Sequence, residues 1–114
     1  MSSVVKRLAR HQATAIIAGF MTGAGVALAA DPVTLRQSEK TFSPDLLTVE
    51  HGTQVEFTNE DPYIHHIHIE SPELNFDSGE QRTGRRISIR FDMPGDYSVR
   101  CAIHLKMLLR VNVR

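Results

Sequence analysis

Hydrophobic and polar positions alternate with period two over most of the chain after residue 30. Val55 and Phe57 alternate with polar neighbours in 54–59, and Ile87, Ile89 and Phe91 alternate with Arg86, Ser88 and Arg90. Such a pattern predicts strands with one buried face. Further strands are predicted at 33–36, 46–50, 64–69, 97–101 and 108–113. Turn residues punctuate them: Phe42-Ser43-Pro44, His51-Gly52, Asp61-Pro62 and Met93-Pro94-Gly95-Asp96. Residues 71–84 are polar, contain Pro72, Gly79 and Gly84, and are expected to form a long connection with a short helical turn. No repeat, low-complexity tract or amphipathic helix stands out. About seven to eight short strands at this spacing predict an all-β, antiparallel Greek-key sandwich in one domain.

The first 30 residues follow a different pattern. Lys6, Arg7 and Arg10 precede an apolar run from Ala13 to Leu28, which ends in Ala27-Leu28-Ala29-Ala30. A basic start, an apolar middle and a small-residue end make the layout of a secretory signal peptide. Glycines within the run and Asp31-Pro32 directly after it argue against a retained membrane span. The expectation is therefore a cleaved leader over 1–30, with cleavage after Ala29 or Ala30, and a periplasmic domain over 31–114. No twin-arginine pair is present, which favours the general secretory route.

Loss of the leader would change the charge balance. The whole chain is neutral, with 13 basic and 13 acidic residues, but three of the basic ones lie in the leader. The exported domain would carry a net charge of −3, which argues against nucleic-acid binding. Export also changes the meaning of the one cysteine, Cys101. In an oxidising compartment a lone cysteine is buried and inert, paired between chains, or held by a metal.

Its neighbours favour the metal. In Cys101-Ala102-Ile103-His104-Leu105-Lys106-Met107 a thiol, an imidazole and a thioether recur at every third residue. A loop curling with about three residues per turn aims all three at one point. That donor set suits copper in both oxidation states, whereas structural zinc recruits more cysteine or histidine and has no use for methionine. C-type haem would need C-x-x-C-H, which is absent. A trigonal copper site needs a second imidazole. The segment Ile64-His65-His66-Ile67-His68-Ile69 offers three, and alternation puts His65 on the face of Ile67 and Ile69. His65 is thus the inward histidine. His66 and His68 are expected on a solvent-facing surface, where two imidazoles two residues apart also have the chemistry to hold a second Cu(II) loosely.

Asn59-x-Asp61 with His65 a few residues on, followed by Gly95-Asp96-Tyr97-x-Val99-x-Cys101-x-x-His104-x-x-Met107, resembles the cupredoxin (type 1 copper) family over residues 33–113. The short C-x-x-H-x-x-M loop is similar to that of amicyanins. The resemblance implies one copper ion cycling between Cu(II) and Cu(I), with His65 as upstream ligand, Cys101 as thiolate, His104 as the more exposed histidine and Met107 as weak axial ligand. It further implies single-electron transfer between redox partners. The apolar Ile64, Ala102, Ile103 and Leu105 around the outer edge of His104 are expected to form a docking patch for a redox protein. His66 departs from the family's usual asparagine, which ties the ligand loops together.

The alternative function is a periplasmic copper-binding or copper-tolerance protein that sequesters copper or exchanges it with a donor or acceptor, with His66, His68 and Met93 as auxiliary ligands. An enzyme is not expected, because no catalytic pair or triad stands out and a copper oxidase or nitrite reductase needs further centres. A freely diffusing carrier is expected to be monomeric. Arg82, Arg85, Arg86 and Arg90 are expected to face the acidic run Glu70, Glu73, Asp77 and Glu80 as solvated surfaces. Tyr97 is expected to be a structural corner residue.

Overall fold

The computed structural model describes residues 31–114, so the predicted leader lies outside the described residues. Nine strands follow one another: β1 (Val33–Ser38), β2 (Thr41–Ser43), β3 (Leu46–Val49), β4 (Thr53–Asn59), β5 (Ile67–Glu70), β6 (Asn75–Asp77), β7 (Arg86–Phe91), β8 (Gly95–Cys101) and β9 (Leu108–Val113). They form a five-stranded sheet in the order β3-β9-β8-β5-β6 and a four-stranded sheet in the order β2-β1-β4-β7. Among the described residues there is no helix, and none long and apolar enough to cross a membrane.

Alternation builds the core as expected. Leu35, Val55, Phe57, Ile89 and Phe91 are buried on the four-stranded sheet, and Ile67, Ile69, Val99, Leu109 and Val111 on the five-stranded one. Each such side chain contributes about 1.5–3 kcal/mol when fully buried. Phe42 meets Phe57 edge-on, with ring centroids 6.2 Å apart.

The sandwich differs from the expected one in its details. Its pairing is mixed rather than wholly antiparallel, since β1 runs parallel to β4 and β3 parallel to β9. Both parallel pairs arise because the chain crosses between sheets: β3 leaves the hairpin partner of β1 and joins the last strand on the other side. Two short strands raise the count above eight. Strand β2 takes up Phe42 and Ser43, which were expected in a turn; the turn lies instead at Glu39-Lys40, both with positive φ (55° and 58°). Strand β6 occupies part of the expected long connection because half-buried Phe76 packs against the core and pulls its backbone onto β5. The expected helical turn is absent; Ser71 closes a tight turn there by accepting from the Leu74 amide.

The strand expected over 64–69 begins only at Ile67. His65 lies before it, in an isolated antiparallel bridge to Gln81. The Arg residues of β7 do not meet the acidic run either: Arg86 pairs with Glu56 across the sheet and Arg90 with Asp92. Tyr97 is the expected corner residue. Its hydroxyl donates to the Met93 carbonyl at 2.6 Å, and its ring packs edge-on against Phe91.

Candidate metal centre

Strand register explains why the predicted ligands meet. On β8 the inward series Tyr97, Val99, Cys101 ends with the cysteine. On the adjacent strand the inward series Ile69, Ile67 extends to His65. Ile67 is paired directly with Cys101, so His65 lies just past the end of β8, where the chain turns into the 102–107 loop. That loop folds His104 back over both. Ala102 donates its amide to the His66 carbonyl at 2.8 Å, which ties the loop to the histidine segment through backbone. The His66 side chain, where the family commonly uses asparagine for that tie, points instead to Asp77.

Three donor atoms converge. Cys101 Sγ is 3.7 Å from His65 Nδ1 and 3.6 Å from His104 Nδ1, and the two nitrogens are 3.2 Å apart. A point within that triangle lies about 2 Å from all three, close to metal–imidazole and metal–thiolate bond lengths. His65 is fully buried, Cys101 is 1% exposed, and His104 is half-buried. Met107 is buried at the same end of the sandwich, with its amide donating to the His104 carbonyl at 3.0 Å. All four predicted residues are therefore brought to one end of the fold. His51 and Met93 are not. Each lies in a turn at the opposite end, six or more residues of extended strand away, about 20 Å, so Met93 does not act as an auxiliary ligand to this centre.

The site's electrostatics suit a bound cation. The His104 amide approaches Cys101 Sγ at 3.4 Å and supports a thiolate. Burial, helped by the nearby His65 and Lys40, lowers the His104 pKa below the ordinary histidine value. A neutral imidazole is what a metal requires.

Sequence reasoning missed the supports of His65. Its Nε2 donates to buried Asp61 Oδ2 at 2.7 Å, leaving Nδ1 aimed at the sulfur. The same carboxylate accepts from the amides of Glu39 and Lys40 at 2.6 and 3.1 Å. Burial alone would raise the Asp61 pKa, but the hydrogen bonds from His65 and the two amides outweigh it and hold the carboxyl below its ordinary value. Asn59 accepts from the Asp61 amide and donates to the carbonyls of Tyr63 and Gln81. Gln81, 1% exposed, pairs with His65 through backbone in both directions and takes a side-chain hydrogen bond from buried Gln37. The N-x-D pattern carried a signal for Asn59 and Asp61, as a side chain that folds back on its own turn. Nothing in the polar stretch around Gln81 distinguished it. Tyr63 was also missed: its ring lies edge-on to His65 and His104, at 5.8 and 5.4 Å, and Lys40 Nζ lies 5.1 Å from its centroid.

Comparisons with known proteins agree with this geometry. The Cupredoxin-like domain family matches residues 11–109. No relative was found among curated proteins. Among solved structures, a copper-containing nitrite reductase from Thermus scotoductus is 30% identical with a TM-score of 0.69, over 82% of this chain. The match spans only 25% of that enzyme, so this chain corresponds to about a quarter of its length. An amicyanin variant in its Cu(I) form has a TM-score of 0.69 at 20% identity, covering 75% of this chain and 85% of that one. A purple cupredoxin from Nitrosopumilus maritimus has a TM-score of 0.65 at 24% identity, covering 72% and 99%; at these identities the two share the fold. Thiolate, two imidazoles and a thioether at one end of such a sandwich fit a single type 1 copper site, and the chain belongs to the cupredoxin-like family.

Proposed function

We propose that this chain is a periplasmic electron carrier, exported by a cleaved leader over 1–30 and folded over 31–114, whose one copper is held by His65, Cys101, His104 and Met107. The convergence of His65 Nδ1, Cys101 Sγ and His104 Nδ1 carries the reading. Copper bound there supplies a one-electron couple between Cu(II) and Cu(I). The residues do the rest. Asp61 keeps His65 in the tautomer whose Nδ1 faces the metal position, and buried Gln81 and Asn59 hold the segment that carries it. A donor set fixed by such a scaffold changes little between oxidation states, so little reorganisation opposes transfer. Met107, buried at the end of the ligand loop, offers a soft donor that favours Cu(I).

His104 supplies the way out, because it is the half-exposed member of the set. Around it Ile103 is 44% exposed and Leu105 76%, with Ala102 and Tyr63 also at the surface. An apolar rim of this kind fits a transient redox-protein partner, which must dock and leave quickly. Monomeric behaviour follows, since a stable self-association through this rim would cover His104. The chain is not proposed to be an enzyme, because four protein donors leave no position for substrate.

The deciding experiment is the visible absorption spectrum of the Cu(II)-loaded domain beside a Cys101→Ser control, followed by voltammetry. An intense thiolate-to-copper band absent from the control, with a fast reversible one-electron wave, is the expected result. A pale spectrum equal to the control overturns the reading. A genuine band with no reversible couple, and ready release of copper to an acceptor, would place the chain among copper-delivery proteins instead.

A further inference from the structure

A second group of metal-ligating side chains lies outside the centre just described, on the outer face of the five-stranded sheet. The alternation that turns His65 and Ile67 inward turns His66 and His68 outward, where their side chains are 25% and 37% exposed. Strand β6 places Asp77 directly opposite His68. The Asp77 carboxylate stands between the two rings: Oδ1 is in contact with His66 Nε2, and Oδ2 is 3.9 Å from His68 Nδ1. The Gly79 amide donates to Oδ1 at 2.9 Å and anchors the carboxylate at the end of its strand. Arg100 flanks His68 on the other side, and Glu70 follows it on the same outward face of β5.

We propose that His66, His68 and Asp77 form a second metal site, which takes a divalent transition-metal ion, Cu(II) ahead of Zn(II). Two imidazoles and one carboxylate are borderline ligands that suit this class, and among its members the affinity order puts Cu(II) first. The carboxylate already faces both rings. All three side chains reach solvent, so they can close on an ion without disturbing the core, and water completes the coordination. With no thiolate and an exposed setting, the site holds its ion more weakly than the buried centre. It stands one residue along the chain from His65, and the His66 carbonyl accepts from the ligand loop at Ala102. The outer site and the centre therefore share a backbone connection while facing opposite sides of one sheet.

The test adds a second equivalent of Cu(II) to protein already carrying one copper and reads it by electron paramagnetic resonance. The expected result is a new axial signal, one equivalent per chain, with superhyperfine splitting from two imidazole nitrogens. His68→Gln and Asp77→Asn should each weaken that second equivalent by at least tenfold, because even outer-shell changes cost about 10–100-fold in metal affinity. Both should leave the thiolate-to-copper band intact, which also reports that the variants fold. His51→Gln, at the far end, should change neither signal. The proposal is overturned if the second equivalent stays in solution, if it binds the His68→Gln and Asp77→Asn variants as tightly as the parent, or if His51→Gln removes it. These outcomes do not depend on electron transfer: a chain without a reversible couple could still show the outer signal, and a competent carrier could lack it.

Discussion

The two segments that meet at the metal centre are built on opposite plans. The 101–107 segment carries three of the four ligands in seven residues and holds itself together locally, through the His104 amide on Cys101 Sγ and the Met107 amide on the His104 carbonyl. Its tip, Leu105 and Lys106, is exposed. The 59–65 segment carries one ligand and is held by residues from far along the chain: Glu39 and Lys40 on Asp61, and Gln81 on both Asn59 and His65. One imidazole is thus fixed by the fold before any metal arrives, whereas the other sits on a short loop at the surface. The comparison shows a division of labour between a rigid wall and an accessible lid.

If that division is real, the two histidines should differ most sharply when metal is absent. His65→Ala leaves Asp61 buried without its partner and opens a cavity, so the metal-free domain should lose about 3–5 kcal/mol of stability. His104→Ala removes a half-buried side chain that makes no hydrogen bond to the rigid wall beyond His65, and should cost under about 1 kcal/mol. Urea denaturation of the metal-free variants measures both. Equal losses would break the comparison, because they would mean that the loop is as deeply built into the fold as the wall.

Asp61→Ala tests the hub of the wall. It strands two backbone amides and the His65 Nε2 proton, and each unsatisfied buried group costs about 1–3 kcal/mol, reduced where water can enter. A loss of about 2–3 kcal/mol is expected in the metal-free domain. Part of the effect falls on the Glu39-Lys40 turn, whose two left-handed residues are held by this carboxylate. The spectrum should change as well, because His65 would no longer be held in one tautomer. A variant as stable as the parent, with an unaltered copper spectrum, would show that Asp61 is incidental to the site. At the far end of the sandwich, Tyr97→Phe removes one hydrogen bond to Met93 and should cost about 1 kcal/mol. Its copper spectrum should not move, since the wall draws no support from that end.

The contrast also explains what could be read from the chain. The loop was legible because its chemistry is contiguous: three soft donors at one spacing stand out wherever they occur. The inward face of His65 was legible because Ile67 and Ile69 mark the core by alternation, and the same period gave the main strands and most of the core. What held His65 in place was not legible. Gln81 and Gln37 look like any polar residues of a loop and a strand edge, and their burial depends on pairings across 22 to 44 residues. Strands β2 and β6 escaped for a related reason. Each has three residues, too few to show a period, and each exists because one aromatic side chain, Phe42 or Phe76, packs inward. The parallel pairings β1–β4 and β3–β9 are set by crossovers between sheets, which leave no local mark on the chain.

The smallest stability change should come from the lid's tip, and it sharpens the comparison in the other direction. Leu105 is 76% exposed, so Leu105→Lys should shift stability by no more than about 0.5 kcal/mol. Neither the wall nor the donor triangle includes it, and the thiolate-to-copper band should be unchanged. Electron self-exchange, in which two copies meet through their His104 faces, should nevertheless fall by about tenfold or more, because the added charge joins Lys40 and Lys106 near that face and like charges oppose encounter. Raising the ionic strength should restore part of the rate by screening those charges. A Leu105→Lys variant that exchanges electrons at the parental rate would remove the docking role from this loop, leaving it only a ligand carrier. A slow variant whose spectrum and stability match the parent would separate two tasks within the lid: Cys101, His104 and Met107 join His65 in holding the metal, and the exposed tip governs who reaches it.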